Sequence, residues 1–406
     1  MTASNATIYR VLFSISIVHL LNDSLQAVIP AVLPILQDNL SLSYFNLGVI
    51  LLVMNITASL LQPVVGHFAD KTPRPFILPA AMLVSGMGML GIAFAENYYS
   101  VLLSVALVGV GSAIFHPEAS RVAHMASGPR RGLGQSIFQV GGNTGQALAP
   151  LMTALIFVPF GQNGAFWFVI PAALAMSVLV YVAFWYAGQE RLRKARAQIR
   201  LITLHKQERM IAMGLLILIV SFRSWISAAY QSFYPLYLID VMGVSVSHAQ
   251  IYVFVFLLAG AIGTFFGGPL ADRFGRRNLM IISILGSFPF ALAIPFVSGY
   301  AAYPLLFIDG LLLLCSFSVT VVYAQELMPG KIGTVSGLMI GLAFGMGGIG
   351  ASVLGYVADL KGLAFIVNMA ALFHLIGLLG FLLPKDATLT DWEQEAHAAN
   401  QKSVPV

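Results

Sequence analysis

Four polar residues lie on one face of a helix near the start of this sequence, in a stretch that is otherwise apolar. His19, Asn22, Asp23 and Gln26 follow the spacing i, i+3, i+4, i+7, which places side chains on the same side of an α-helix. An aspartate can carry a proton, and a histidine side chain titrates near neutral pH. The pattern predicts a proton-binding face, with Asp23 as the carrier and His19 in support. The alternative is a structural hydrogen-bonded cluster that ties this helix to its neighbours.

A second set of residues is suited to contact a small molecule. Arg223 lies midway along another apolar stretch, and because an arginine keeps its proton it suits a fixed counter-charge for a phosphonate or a carboxylate. Its alternative role is a salt bridge with Asp23. The other candidates for substrate contact are His116, Gln139, Asn143, Asn22, Gln26, Tyr230, Gln231 and Tyr234. These side chains either line a cavity or join neighbouring helices.

Composition places all of these residues in a membrane. Hydrophobic residues make up 58% of the 406 residues and charged residues only 9%, whereas soluble domains carry roughly a quarter charged residues. Apolar runs of about 20 residues, long enough to cross the hydrocarbon core, recur along the chain. They predict an all-α integral membrane protein with twelve transmembrane helices, near residues 8–36, 45–69, 76–95, 100–122, 133–158, 164–187, 210–239, 247–271, 278–298, 302–326, 332–358 and 363–383.

The helices divide into two groups of six, joined by a basic segment. We expect an N-terminal bundle at 1–187, a cytoplasmic linker at 188–209, a C-terminal bundle at 210–384 and a cytoplasmic tail at 385–406. All lysines and arginines except Arg223 and Lys361 fall on the side of the termini, which the positive-inside rule assigns to the cytoplasm. The first apolar run is too long for a signal peptide, so we treat it as a spanning helix.

Three residues within the apolar runs have no evident role. The single Cys315 excludes an internal disulfide framework. Asp309 and His374 are ionisable, but the sequence shows no partner for either, so we expect each to stand alone as a minor candidate.

A short loop is repeated in the two halves. The residues GHFADKTPR begin at Gly66 and the residues GPLADRFGRR begin at Gly268, so Asp70 and Asp272 are 202 positions apart. The second copy matches G-x-L-A-D-R-x-G-R-R, and the chain thereby resembles the major facilitator superfamily. The first copy departs from that pattern, with Pro73 in place of the glycine. The resemblance implies two pseudo-symmetric six-helix bundles with a substrate site at the midplane.

The repeated loop also predicts a cytoplasmic gate. Asp70 can sit at the start of the helix that begins near Gly333, where the helix dipole favours an anion, or it can pair with Arg121. Glu118 and Glu326 recur at matching positions in the two halves. The predicted gating residues are Asp70, Arg121, Glu118, Asp272, Arg276 and Glu326. The alternative is a loop whose charges only orient membrane insertion.

A closer resemblance lies in five stretches spread over both halves. They are HLLND from His19, IFHPEASRVA from Ile114, QSIFQVGGN from Gln135, YAQEL from Tyr323 and GMGG from Gly345. In these the chain resembles the fosmidomycin-resistance group of bacterial efflux transporters. The resemblance implies export of an anionic antibiotic across the bacterial inner membrane in exchange for protons. The G-x-x-x-G-P-x-x-G-G signature of many drug–proton antiporters is incomplete here, since Pro150 is kept but three glycines are absent.

Two other functions stay open. An importer that symports protons with a small organic anion has the same fold and could use the same residues. A membrane-embedded enzyme is disfavoured because no HExxH or GxSxG motif occurs, and the absence of GxxxxGK[ST] excludes ATP-driven pumping by this chain. We expect no enzymatic activity, no cofactor or metal, and no nucleic-acid partner, because basic loops account for the net charge of +5. We expect a monomer whose partners are the lipid bilayer, protons and a small anionic substrate.

Overall fold

The computed structural model describes residues 7–42, 44–148, 152–195, 204–297 and 299–402, and every regular element in these ranges is helical. Pro150, the chain ends and part of the predicted linker at 188–209 lie outside the described residues. The helices before the linker are α1 (Tyr9–Ala27), α2 (Ile29–Leu40), α3 (Tyr44–Lys71), α4 (Ile77–Ala93), α5 (Tyr98–Ser127), α6 (Arg131–Ala147), α7 (Val158–Phe160) and α8 (Val169–Ala195). Those after it are α9 (Lys206–Ala228), α10 (Tyr234–Asp240), α11 (Val246–Phe274), α12 (Arg276–Ala293), α13 (Ala302–Cys315), α14 (Phe317–Leu327), α15 (Ile332–Lys361), α16 (Leu363–Phe373) and α17 (Asp386–Lys402).

Within these ranges, nine helical stretches are long and apolar enough to cross a membrane, and the shorter α4 is also apolar. They correspond to ten of the twelve predicted spans. The other two predicted spans are 8–36, whose helix divides at Val28, and 133–158, of which residues 149–151 lie outside the described residues. The all-helical membrane fold predicted from composition is therefore confirmed.

Two of the predicted helices are broken for identifiable reasons. The helix predicted at 8–36 divides at Val28, because Pro30 has no N–H to donate to the carbonyl four residues earlier. The helix predicted at 302–326 divides at Ser316. There the hydroxyl of Ser283 donates to the carbonyls of Leu312 and Leu313, at 2.8 and 3.1 Å, and thus bonds backbone groups near the break.

Packing within the chain defines two compact units. Unit 1 comprises Met1–Pro129, Ile137–Gln198 and Lys331–Gly341, and unit 2 comprises Arg130–Ser136, Ile199–Gly330 and Leu342–Val406. The first turns of α6 thus group with unit 2, and the first turns of α15 group with unit 1.

Exposure in both units is the reverse of that in a soluble protein. Large apolar side chains such as Leu60 and Phe184 are 65% and 66% exposed, whereas Asp23 and Arg223 are 2% and 3% exposed. Apolar surface is stable against lipid, while an ionised group at membrane depth must find its partners inside the protein. The buried polar groups are therefore the place to look for function.

Candidate functional site

His19, Asp23 and His116 form a buried cluster in unit 1. Asp23 and His19 come from successive turns of α1, and His116 comes from α5. The Nε2 atom of His116 lies 3.2 Å from Oδ1 of Asp23, and the Nε2 atom of His19 lies 3.5 Å from the same oxygen. The structure thus brings the two predicted proton-coupling residues together with one that was predicted to contact substrate.

Backbone carbonyls determine which nitrogen of each imidazole carries a hydrogen. Nδ1 of His19 lies 2.8 Å from the carbonyl oxygen of Phe138, and Nδ1 of His116 lies 2.9 Å from that of Ser112. Because a carbonyl oxygen only accepts, both Nδ1 atoms donate, and in a neutral imidazole Nε2 is then an acceptor. Here both acceptors face a carboxylate. A single added proton between Nε2 and Oδ1 converts this unfavourable contact into a charge-assisted hydrogen bond, so the cluster is suited to bind a proton.

Two amides complete the surroundings of Asp23. Asn22 donates through Nδ2 to Oδ1 and Gln146 donates through Nε2 to Oδ2, each at 3.0 Å. Gln146 belongs to a polar stripe that the sequence predicts either to line a cavity or to join this helix, α6, to the first one, and its bond to Asp23 is a contact of the second kind. The stripe is visible in the sequence, since Gln135, Gln139, Asn143 and Gln146 follow a helical spacing of four, four and three.

The same cluster has the ligand types of a metal site, since its three ligand atoms lie within 4.8 Å of one another. The N–H of Asn22, however, already donates to the oxygen toward which both imidazoles point. A carboxylate oxygen has a second lone pair, so this hydrogen bond leaves room either for a cation or for a proton shared with an acceptor nitrogen. The binding of a proton at this site stays a prediction.

Gly142 allows α6 to approach the cluster. A Cβ atom at this position would lie 2.5 Å from Nε2 of His19 and 2.9 Å from Oδ2 of Asp23, distances that side chains do not tolerate. The imidazole of His19 also stacks on Phe138 of the same helix, with ring centroids 4.1 Å apart. These close contacts with α6 restrict the orientation of the His19 ring.

The remaining predicted contact residues lie in varied surroundings. In unit 1, Gln139 is buried, whereas Asn143 and Gln26 are partly exposed. In unit 2, the rings of Tyr230 and Tyr234 are buried and lie 6.1 Å apart, while Gln231 beside them is exposed. Their contact with substrate stays a prediction.

Arg223 is buried in unit 2 among neutral partners. It donates through Nη1 to Oγ1 of Thr320 at 3.0 Å and to Oγ of Ser316 at 3.5 Å, and its guanidinium lies 4.9 Å from the ring centroid of Phe317. Within the described part of unit 2, no carboxylate pairs with Arg223. The hydroxyl and aromatic partners leave its charge without a matching anion, so the surroundings favour binding of an anionic group.

Asp70 caps the N-terminus of α15 within unit 1. Oδ1 accepts from the N–H of Gly333 at 2.9 Å, and Oδ2 accepts from the N–H and the hydroxyl of Thr334 at 2.8 and 2.5 Å. Arg121 on α5 donates to Oδ1 of the same carboxylate. Both contacts considered from the sequence, with Gly333 and with Arg121, are therefore present together. The role of this cap in gating stays a prediction.

Asp272 makes the equivalent cap in unit 2. Its two carboxylate oxygens accept from the N–H groups of Gly132 and Leu133, at 3.1 and 3.2 Å, in the first turn of α6. The sequence predicted a gating role for Asp272 but indicated no partner for it. Because Asp70 and Asp272 hold the same position in the repeated loop, the partner could have been inferred from the repeat.

The two repeated glutamates bind different partners. Glu118 accepts from the hydroxyl of Tyr186 at 3.0 Å and lies 3.8 Å from Nε of Arg121. Glu326 pairs with Arg276 at 2.6 Å and with Arg131 at 3.3 Å. In each unit a carboxylate thus lies close to the arginines of the predicted gate.

The prediction that Asp309 and His374 stand alone is wrong. Nε2 of His374 lies 3.4 Å from Oδ1 of Asp309, and both side chains are 0% exposed. The two residues come from α13 and from the 3₁₀-helix His374–Leu382, which are far apart in the sequence. Helical periodicity relates residues on one helix only, so it cannot reveal a pair formed between two helices.

Comparisons with known proteins agree on one family. The sequence profile described as Major Facilitator Superfamily matches residues 12–351. Over 390 residues the chain is 51% identical to the uncharacterized MFS-type transporter YfnC of Bacillus subtilis (strain 168), with 95% of each chain covered. Over 384 residues it is 44% identical to the fosmidomycin resistance protein of Escherichia coli (strain K12), with 94% of this chain and 95% of that protein covered. A crystal structure of FucP, a major facilitator superfamily transporter, in the outward conformation has the same fold. Its TM-score is 0.72 at 16% identity, with 94% of this chain and 99% of FucP covered.

Proposed function

The chain belongs to the major facilitator superfamily, and on that premise we propose that it exports small anionic or amphiphilic drugs in exchange for protons. The expected substrates include the phosphonate antibiotic fosmidomycin. The relative that is 44% identical carries resistance to this compound in its name, which supports the choice of substrate class. We place the protein in the bacterial inner membrane with both termini in the cytoplasm, as the distribution of basic residues favours.

The observation that carries the proposal is the cluster of His19, Asp23 and His116. Two imidazoles direct their acceptor nitrogens at one buried carboxylate, at 3.5 and 3.2 Å. Such an arrangement is unfavourable when empty and favourable when one proton is bound. We assign to it the proton that drives export. Asn22 and Gln146 hold the carboxylate in place as the proton enters and leaves.

We assign the drug's anionic group to Arg223. Its guanidinium is held by Thr320, Ser316 and the ring of Phe317, none of which carries a negative charge. A phosphonate has oxygens that a guanidinium can bind in a bidentate fashion. Since arginine does not exchange its proton, Arg223 can bind the anion while the cluster in unit 1 carries the exchangeable charge.

We assign the control of access to the two aspartate caps. The Asp70 cap joins α3, α5 and the start of α15, and the Asp272 cap joins α11 to the start of α6. Each cap combines a carboxylate with two backbone N–H groups at a helix N-terminus, a stable arrangement that can also be broken and re-formed. Opening and closing of these caps would then accompany each transport cycle.

Transport into inside-out membrane vesicles tests the proposal. Vesicles that contain the protein should accumulate radiolabelled fosmidomycin when their interior is more acidic than the medium, and should not accumulate it without a pH gradient. Vesicles without the protein provide the control. Accumulation only under the reverse gradient would indicate an importer that symports protons. Uptake that ignores the gradient would refute proton coupling.

A further inference from the structure

A second buried acid–imidazole pair lies in unit 2, outside the sites described above. Nε2 of His374 lies 3.4 Å from Oδ1 of Asp309, with both side chains fully buried. Nδ1 of His374 lies 3.0 Å from the carbonyl oxygen of Ala371 and 3.1 Å from that of Ala370, so Nδ1 donates. As in the His116–Asp23 contact, the acceptor nitrogen of a neutral imidazole faces a carboxylate.

From the part of the chain that the structure describes, Asp309 receives no hydrogen bond that would stabilise a negative charge. Among the described residues, neither of its carboxylate oxygens has a hydrogen-bond partner, and neither has Nε2 of His374. An ionised carboxylate buried without donors carries a large free-energy penalty. One proton removes this penalty, because the pair is then neutral overall whether the proton resides on the imidazole or on the carboxyl group.

The helices packed around the pair supply no other counter-charge within the described residues. On α9, Arg223 donates to Thr320 and Arg209 to the carbonyl of Glu326. On α12, Arg276 pairs with Glu326, and Arg277 donates to the carbonyls of Gly380 and Phe381. On α11, Asp272 caps the first turn of α6, and Tyr252 donates to the carbonyl of Gly299. On α14, the hydroxyl of Tyr323 donates to the carbonyl of Pro384.

One uncharged titratable group does face the pair. The hydroxyl of Tyr230 is buried without a hydrogen-bond partner among the described residues, and it interacts electrostatically with Asp309. A phenol keeps its proton near neutral pH, so Tyr230 adds no charge to the pair. The exchangeable proton therefore belongs to Asp309 and His374.

We propose that Asp309 and His374 form a second proton-binding site, so that two protons are exchanged for each drug molecule. The inference rests on the proposed function, which already assigns one proton to Asp23. The second proton binds between Nε2 of His374 and the carboxylate of Asp309, and it leaves when α13 and the 3₁₀-helix His374–Leu382 expose the pair to water on the other side of the membrane. No other reactant is needed.

The proton count can be measured with purified protein in liposomes. The membrane potential is clamped at zero, a pH gradient of one unit is imposed, and the ratio of radiolabelled fosmidomycin across the membrane is followed to equilibrium. Each coupled proton contributes about 1.4 kcal/mol per pH unit, a factor of about ten in that ratio. Two protons predict a ratio of about 100, and one proton predicts about 10.

Variants assign the protons to their sites. Asp309→Asn and Asp23→Asn should each lower the ratio to about 10, and the double variant should lower it to about 1. His374→Gln should act like Asp309→Asn, because the carboxyl group then stays protonated throughout the cycle. Asp240→Asn, at an exposed helix end, is the matched control and should keep the full ratio.

The unmodified protein decides the question even if a variant fails to fold. A ratio of about 10 for the unmodified protein, falling to about 1 in Asp23→Asn, would overturn the second site and leave proton-coupled export intact. A full ratio in Asp309→Asn would also overturn it. A ratio near 1 for the unmodified protein would refute the proposed function and the second site together.

Discussion

The Nε2 atom of His116 lies 3.2 Å from Oδ1 of Asp23, and this contact joins α5 to α1 deep inside unit 1. Because a proton would make the contact favourable and its loss unfavourable, we expect the packing of the two helices to depend on proton occupancy. The same α5 carries Arg121, which pairs with the Asp70 cap. A single helix thus links the candidate proton site to the candidate gate.

Asp23→Asn should abolish the coupling of export to the proton that Asp23 carries. The amide has nearly the same shape as the carboxyl group but cannot exchange a proton. Accumulation of fosmidomycin under a gradient of one pH unit should fall at least tenfold, by about 1.4 kcal/mol per lost proton. Downhill exchange of labelled for unlabelled drug should persist. A variant that accumulates drug as well as the unmodified protein would rule out Asp23 as a carrier.

His116→Gln should impair proton-driven accumulation more than His19→Gln. The imidazole of His116 lies closer to Asp23, at 3.2 Å against 3.5 Å, so it should hold the shared proton more strongly. Transport assays at several pH values measure the difference between the two variants. The His116 variant should need a lower pH on the acidic side of the membrane for half-maximal accumulation. His67→Gln, at an exposed position, serves as control. Equal effects of the two cluster variants would contradict the ranking.

Arg223→Gln should weaken binding of anionic substrates and spare neutral ones. Loss of a charged hydrogen bond costs about 1.5–3 kcal/mol, which corresponds to roughly ten- to hundredfold in affinity. Calorimetry on purified protein, with fosmidomycin and a neutral ester of it, measures the difference. Arg223→Lys keeps the charge and should lose less. If the ester and the anion lose affinity equally, Arg223 has a structural role only.

Asp70→Asn should slow transport without weakening substrate binding. The change removes the charge that Arg121 and the α15 N-terminus stabilise, and no substrate contact is involved. We expect a turnover rate about tenfold lower, from about 1.4 kcal/mol of lost stabilisation in the capped state. Asp272→Asn should behave similarly, because it caps α6 in the same way. The exposed Glu96→Gln is the matched control. A loss of drug affinity at unchanged turnover would oppose the gating role.

Cysteine labelling should establish the orientation in the membrane. Cys315 is the single cysteine of the sequence and is buried. The Cys315→Ser variant therefore has no thiol and serves as the background for labelling. In that background, Lys385→Cys should react with a membrane-impermeant maleimide only from the cytoplasmic side. Lys361→Cys should react only from the opposite side. Both positions are exposed in the structure. The reverse labelling pattern would invert the proposed topology.

Several features could be predicted from local patterns alone. Apolar runs of spanning length follow directly from the requirement that backbone groups be satisfied inside lipid, so composition was enough to predict an all-helical membrane protein. The repeated loop predicted the position of Asp70 beside Gly333 and Arg121, because a carboxylate near a helix N-terminus is stable wherever the chain can bring the two together. Helical spacing likewise placed His19 and Asp23 on one face.

Other features depended on how the helices pack. The period of a helix tells which side chains share a face, but the rotation of one helix against another decides what that face meets. Nothing local to His116 distinguishes a substrate contact from a partner of Asp23, and nothing local to Asp309 points to His374. The amino-acid sequence by itself therefore determined the membrane setting, the helices and the polar faces. Only the tertiary structure decided which ionisable groups meet, because those pairs form between helices that are distant along the chain.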